Sequence, residues 1–413
     1  MKANRRKALA KLAGMSAIPF IYTPSVMAKQ NSQNTVKVAV LAPLTGPYAL
    51  NGQMYRDGAQ MAVDDINSMG GIHALGGRPM ELVLYDCGDS VEKTRNAASR
   101  MLSDHPDLVG VTGCFLSSFT LAASEVTEGA KLPFLTLSYS DLITDRGLKY
   151  IFQTSITGDQ QAYDLLPVMI DIYRRQNQDE PKRLALVMDN TASPVSTAKP
   201  LKAGLIDKYG LDLVVDEIYT PPLTDASALV QRVRRAKSDL FLLLVANAPD
   251  CTLFLNKMAE VGIGKGSLPT YSGGGHMSSP DVLKLISAEN INGYFDYIAN
   301  WTGPQLQDLK QRFGERYNLP WMSQDNLSTY GDIWILKTAV EKSESTDSEK
   351  VANAIRNFDG TEGLDKYYAG GTVQFDENGR RKDAALVVLQ WQDGIAKSIY
   401  PFEEAEADVL AIK

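Results

Sequence analysis

The feature that most limits what this chain can become is a strand–helix alternation that runs along it twice. Residues 36–41 are an apolar run rich in Val, the pattern of a buried strand. Residues 43–52 read as a loop. A helix over 54–68 follows, with Ala59, Ala62, Val63 and Ile66 on one face, and Gly70-Gly71 stop it. Strands at 80–85, 108–112 and 134–137 alternate with helices at 91–102 and 118–129. The pattern then restarts, with strands at 184–188, 211–215, 240–245 and 268–272 and helices at 196–209, 226–236 and 249–261. Residues 240–245 carry no polar side chain, which suits a central strand covered on both faces. Helices at 304–317, 327–342 and 348–358 and a late strand at 384–390 complete the pass. Pro304 suits a first helical position, where its missing N–H costs nothing. Alternation without adjacent hairpins predicts an α/β fold with parallel sheets, in two successive units of similar size. No low-complexity linker separates them, so two lobes joined by several tight crossings fit better than independent domains.

The length of 413 residues suits two or three domains. The chain has 42 Lys plus Arg against 49 Asp plus Glu, a net charge of -7. Five of the positive charges (Lys2, Arg5, Arg6, Lys7, Lys11) fall in the first 28 residues, which hold no acid; the rest balances at 42 − 5 = 37 against 49, or -12. An acidic body of this kind argues against general nucleic-acid binding. No later stretch gives 18 apolar residues without charge, so no stable membrane insertion is expected. Residues 1–28 have a basic start, an apolar middle from Ala8 to Pro24 that Lys11 interrupts, and a small-residue end at Val26-Met27-Ala28. That is the layout of a cleaved signal peptide, with cleavage after Ala28, and predicts an exported, soluble, periplasmic protein. Arg5-Arg6 with Leu9 resembles a twin-arginine signal, although Ala8 stands where an aromatic is usual; an ordinary secretory signal is the alternative. No Cys follows the apolar zone, which argues against a lipid anchor.

The three cysteines, Cys87, Cys114 and Cys251, leave at least one free thiol. There is no CxxC, and His73, His105 and His276 are scattered, so no metal site is expected. Cys87 and Cys114 both end predicted strands; a disulfide and two small buried residues fit equally.

Ligands of open α/β sheets bind beyond the carboxyl ends of the strands. Among the loops this selects, Gly113-Cys114-Phe115-Leu116-Ser117-Ser118 turns a strand directly into a helix. Serine hydroxyls at a helix N-terminus make a carboxylate receptor; equally, Ser117 or Ser118 could simply cap the helix. Ser138-Tyr139-Ser140 is a second hydroxyl-rich loop at a neighbouring strand tip. No G-x-S-x-G elbow, P-loop or H-E-x-x-H is present, so no catalytic residue and no cofactor are assigned. Gly273-Gly274-Gly275 lacks dinucleotide-site spacing and reads instead as backbone turning close to a ligand. His276 beside it is the only histidine in a candidate loop, and a loop histidine is ordinarily solvated. Trp301, Trp321, Trp334 and Trp391 are scattered, as core or lobe-surface residues would be.

Taken in order, Val40-Leu41-Ala42-Pro43-Leu44-Thr45-Gly46-Pro47, then Gly52, Gly58, Ala62, Asn67, Gly70-Gly71-Ile72 and Gly76-Gly77-Arg78-Pro79, resemble the first lobe of the periplasmic solute-binding proteins of ABC importers. The subfamily is the branched-chain amino acid/amide type, with the type I periplasmic-binding fold. Gly113 with Ser117-Ser118, Ser138 through Thr144, Tyr330-Gly331-Asp332, Phe358-Asp359-Gly360 and Phe375-Asp376-Glu377-Asn378-Gly379 continue the resemblance over residues 34–400. It implies two Rossmann-like lobes, a three-stranded hinge and a cleft that closes on one small molecule. Lobe one would be 34–156 plus 300–372, and lobe two 157–299 plus 373–413. By motif position, Ser117 would bind the ligand carboxylate, and Ser138 and Ser140 would complete that site. Phe115 and Asn51 would line the cleft from lobe one, and Ala192, Asn247 and Gly274 from lobe two. Gly274 stands where amino-acid binders carry an acid for the ligand ammonium, and Asn247 where an aromatic is usual.

The expected function is therefore binding without catalysis: capture of a small carboxylate-bearing solute and delivery to an inner-membrane ABC permease. A sensor input to a signalling or regulatory partner is the alternative, and neighbouring permease or kinase genes discriminate the two. A buried ammonium needs acceptors. The possible substitutes for the missing acid are Asp189, Asp250 and backbone carbonyls around Ser272, none placed by a motif. Tyr48, Phe115 and Tyr139 offer stacking surface. The expectation leans to an aromatic or other organic acid, with an amino acid or amide as the rival.

Overall fold

In a computed structural model, which describes residues 35–411, the first apolar run becomes β1 (Val36–Ala42) at the interior of a five-stranded parallel sheet. Its partners are β2 (Met80–Asp86), β3 (Leu108–Gly113), β4 (Phe134–Thr136) and β5 (Ile151–Gln153), in the order β2-β1-β3-β4-β5. The helices between them are α1 (Ala49–Ser68), α2 (Val91–Asp104), α3 (Ser117–Gly129) and α4 (Leu142–Asp145). The expected loop at 43–52 is shorter than predicted: a 3₁₀ turn, Gly46–Tyr48, leads straight into α1 at Ala49. Gly52 makes this possible, because a Cβ there would stand 2.0 Å from the Pro43 carbonyl oxygen.

The second series builds β6 (Arg183–Asp189), β7 (Asp212–Tyr219), β8 (Leu240–Leu244), β9 (Thr270–Gly273) and β10 (Phe295–Ile298). Its helices are α5 (Gly158–Arg175), α6 (Ala192–Pro200), α7 (Ile206–Lys208), α8 (Ser227–Ala236), α9 (Ala248–Glu260) and α10 (Ala288–Ile291). The helix expected over 196–209 is broken: a π-helical turn, Leu201–Leu205, with Gly204 at φ 120°, separates α6 from α7. After α11 (Gln307–Tyr317), α12 (Gln324–Ser343) and α13 (Ser348–Arg356), the chain returns as β11 (Val387–Gln392) and β12 (Ile395–Tyr400). The second sheet runs β12-β11-β10-β9-β8-β6-β7. Only the five strands β6 to β10 are parallel; β11 and β12 add on antiparallel, which the parallel expectation did not contain.

The α12 helix serves the first sheet. It packs on α1 and β3, fixed by hydrogen bonds from Asn326 Nδ2 to the Met54 carbonyl (2.8 Å) and from Thr112 Oγ1 to Asp332 (2.6 Å). A Cβ at Gly58 would lie 2.1 Å from the Asn326 carbonyl oxygen, so glycine lets the two helices touch. Arg381, almost fully buried, gathers the segments that run between the sheets. Its guanidinium donates to the carbonyls of Thr154 (2.8 Å), Thr372 (2.9 Å) and Ala369 (2.6 Å). Burial lowers its pKa to about 10, which leaves it charged at neutral pH.

Candidate functional site

The carboxyl tips of both sheets face one small cavity. From the first sheet come Phe115, Leu116 and Ser117 after β3, and Leu137 and Tyr139 after β4. From the second come Gln161 on α5, Thr191, Ser193, Pro194 and Thr197 after β6, and Leu244, Val245 and Ala246 at the end of β8; Gly273, Gly274 and His276 at β9 and Tyr297 on β10 close it. The enclosed free space is about 30 Å³, room for roughly one or two waters. Larger hollows of about 610 and 830 Å³ lie elsewhere, around Trp321 and Ile395 and around Trp301 and Leu386. The placement at parallel strand tips is the one an open α/β sheet uses for ligands.

Ser117 and Ser118 do not cap α3. The N-cap is Leu116, with no side-chain cap bond. The Ser117 hydroxyl instead accepts from the Ser140 N–H (3.1 Å), tying the two serine loops together. The Ser118 hydroxyl reaches across to the second unit and accepts from the Ala192 N–H (3.4 Å). Ser140 Oγ makes a second bridge of this kind, to Ser196 Oγ (2.9 Å). Ser138 is held inside the first unit by Thr120 Oγ1 (2.8 Å) and by donating to the Phe115 carbonyl (2.9 Å). Phe115 adopts φ 67°, the left-handed region, which turns the chain from β3 into α3.

Of the sequence-selected residues, Phe115, Ser117, Tyr139 and Gly274 are in the cavity wall. Ser118, Ser138, Ser140 and Ala192 stand outside it, engaged as above or beside it. Tyr48 packs against Phe115 and Phe119, with ring centroids 6.3 and 5.9 Å apart. Asn51 donates to Asp325 (2.7 Å) and Asn247 caps α9 by accepting from Asp250 N–H (2.8 Å). Gln161 and Tyr297 are wall residues that sequence reasoning missed. Their elements, α5 and β10, lie in stretches left unread: α5 contains Pro167 and β10 has only four residues. A usable signal for α5 was Thr157, which caps it, followed by apolar residues at helical spacing.

No Asp, Glu, Lys or Arg is among the wall residues. The two acids weighed as ammonium partners are both committed elsewhere. Asp189 accepts from Thr191 N–H (2.8 Å), Thr191 Oγ1 (2.5 Å) and Ala246 N–H (2.7 Å); burial pushes its carboxyl above the ordinary range against those donors. Asp250 accepts from Tyr219 Oη (2.9 Å) and Leu223 N–H (3.0 Å). Tyr139 donates to Gln324 Oε1 (2.6 Å), which also accepts from Ala299 N–H (2.6 Å), and burial holds the phenol well above its usual pKa. His276 corrects the expectation of a solvated loop histidine: it is fully buried, and burial pushes its pKa down to about 3. The glycines before it have separate reasons. A Cβ at Gly273 would strike the Tyr297 ring at 2.1 Å, and one at Gly275 would strike Gln324 Nε2 at 2.1 Å. Cys87 and Cys114 are buried free thiols, not a disulfide, and burial holds the Cys114 thiol well above its usual pKa. Trp301, Trp321 and Trp391 are buried, and none of the four Trp lines the cavity. No helix among the described residues is long and apolar enough to cross a membrane. The signal-peptide reading of residues 1–28 lies outside the described residues.

Comparison with known proteins agrees with this architecture. The chain is 28% identical over 386 residues to Leu/Ile/Val-binding protein homolog 8 of Brucella abortus, covering 90% of this chain and 92% of that one. The branched-chain amino acid transporter substrate-binding protein LivJ of Streptococcus pneumoniae, solved with isoleucine, superposes with a TM-score of 0.74 at 19% identity, over 91% of this chain and 99% of that one. A fatty acid ABC transporter substrate-binding protein of Thermomonospora curvata gives 0.73 at 19%, over 92% and 96%. All three are named as binding proteins, the latter two as substrate-binding proteins of transporters. The sequence profile of the periplasmic binding protein family matches residues 35–396, and with the two sheets and their shared cavity in place, the chain belongs to that family.

Proposed function

We propose that this protein captures a small carboxylate-bearing solute between its two sheets in the periplasm and hands it to an inner-membrane ABC permease. Lobe one would comprise 34–156 and 300–372, and lobe two 157–299 and 373–413. The two separate sheets, the packing of α12 on the first and the return of β11 and β12 to the second support that division. The ligand carboxylate sits at the start of α3, with Ser117 donating its hydroxyl and Ser138, Ser140 and Ser118 holding the surrounding loops. The rest of the cleft favours an apolar or aromatic body, in contact with Phe115, Tyr139 and Gly274. Tyr48, Asn51, Ala192 and Asn247 support the wall from behind.

The single observation that carries the ligand class is the uncharged cavity wall, with Asp189 and Asp250 already hydrogen-bonded elsewhere. A buried ammonium without a carboxylate partner costs several kcal/mol, whereas a carboxylate is accommodated by hydroxyl and helix-terminal donors. The ligand is therefore an aromatic or other organic acid without a free ammonium, although a relative carries a Leu/Ile/Val-binding name. A thermal-shift screen of aromatic acids, aliphatic acids, leucine, isoleucine and valine tests this, because true ligands raise the melting temperature with concentration. Stabilisation by the branched-chain amino acids alone overturns it. Export by the twin-arginine route belongs to the same reading; normal export of an Arg5→Lys, Arg6→Lys double variant would remove it.

A further inference from the structure

Two side chains in the cavity wall hold buried polar atoms without a hydrogen-bond partner. They are Gln161, through Nε2, and His276, through both ring nitrogens. His276 is the more informative, because a whole ring has been taken out of water with neither nitrogen paired. Such groups are rare in folded proteins and call for an explanation, since desolvating them without a replacement bond is unfavourable. Gly274 adopts φ 111°, and a Cβ there would stand 3.3 Å from Nδ1, a crowded contact that glycine avoids.

His276 comes from the second sheet and Ser117 from the first, so the two face one cavity from opposite lobes. We propose that His276 is a specificity-determining residue: its ring hydrogen-bonds a neutral hydroxyl or carbonyl group on the ligand, away from the carboxylate. The ligand class is then a hydroxylated or oxo-substituted carboxylic acid. The inference rests on the carboxylate reading above and narrows it. Burial keeps the imidazole neutral, so it offers one donor and one acceptor. A hydroxyl matches either nitrogen, and a carbonyl matches the protonated one. An ammonium, with three donors and a full charge, finds one neutral acceptor here and no carboxylate in the wall. Sites built to hydrogen-bond a ligand group reject the analogue that lacks it, because the protein's own polar atoms then stay unpaired.

The test is calorimetry on the mature protein with matched acid pairs: 4-hydroxybenzoate against benzoate, and 6-hydroxyhexanoate against hexanoate. The wild type should prefer the hydroxylated member of at least one pair by about tenfold, the effect of one well-made hydrogen bond. His276→Phe should bring that preference to within about twofold while still binding the unsubstituted acid, and His276→Gln should retain part of it. Without ligand, His276→Phe should melt no lower than wild type, since it replaces an unpaired polar ring by an apolar one of similar shape. A lower melting temperature would assign His276 a structural role and overturn the inference, as would equal preference in wild type and His276→Phe. Benzoate or hexanoate bound with no hydroxyl preference overturns the inference and leaves the carboxylate reading standing. Binding of leucine or isoleucine with none of the four acids overturns both.

Discussion

Ser117 is hydrogen-bonded on one side only: its oxygen accepts from Ser140, and its own O–H is free to donate into the cavity. Ser117→Ala should weaken binding of a carboxylate by roughly ten- to a hundredfold, the worth of a hydrogen bond to a charged group. Because α3 uses no serine cap, the melting temperature should change little. Calorimetry with unchanged affinity would reduce Ser117 to a loop tie. Asp325, beside the cleft on α12, makes a pH prediction. Burial raises its carboxyl from 3.8 to about 7, with Asn51 and Gln324 pulling against that. The folded state then holds a proton that the unfolded chain releases between about pH 4 and 7. Stability should fall as pH rises through that window and level off above it. Asp332, raised to about 6 by burial, adds a slope of the same sign. Asp325→Asn should flatten part of the decline in melting temperature from pH 4 to 8; an unchanged slope would contradict the assignment. At this scale the sequence was readable where chemistry follows position along a strand. Phe115, Ser117, Tyr139 and Gly274 follow from the strand-tip rule. The burial of His276 and the commitment of Asp189 do not, because they are made by contacts distant in the chain.

The contact between α1 and α12 is set by one missing methyl group. Gly58→Ala would place Cβ 2.1 Å from a backbone oxygen that has no freedom to rotate away. Chemical denaturation should show a loss of about 1–3 kcal/mol, the usual cost of overpacking. Gly129→Ala, at the end of α3 with nothing within 4 Å, is the control and should be neutral or slightly stabilising. Equal effects from the two would show that helix propensity, not the contact, decides. Element by element, the alternation was legible because buried parallel strands are apolar throughout and amphipathic helices repeat at their own period. The hairpin of β11 and β12 was missed although its turn is Asp393-Gly394, with φ 53° and 80°, a strong two-residue hairpin signal. Expecting only parallel strands hid it. The π-turn before α7 was invisible for another reason: Gly204 at positive φ sits inside an otherwise helical run.

Across the whole molecule, the two lobes are joined by polar ties, Ser118 with Ala192, Ser140 with Ser196 and Gln324 with Ala299 and Ser278 among them, and by the segments Arg381 collects. The cavity between them is too small in this arrangement to admit a solute without movement. On the proposed function, entry would need the lobes to part, and binding should shift the population towards the closed form. Small-angle scattering should give a smaller radius of gyration at saturating ligand than without it; identical profiles would count against a hinge. The central claim, a carboxylate held in an uncharged cleft, is tested most directly by what the protein already carries. Protein purified from the periplasm without added ligand, denatured and analysed by mass spectrometry, should release one small carboxylic acid that lacks an amine. Release of leucine, isoleucine, valine or another α-amino acid would contradict it.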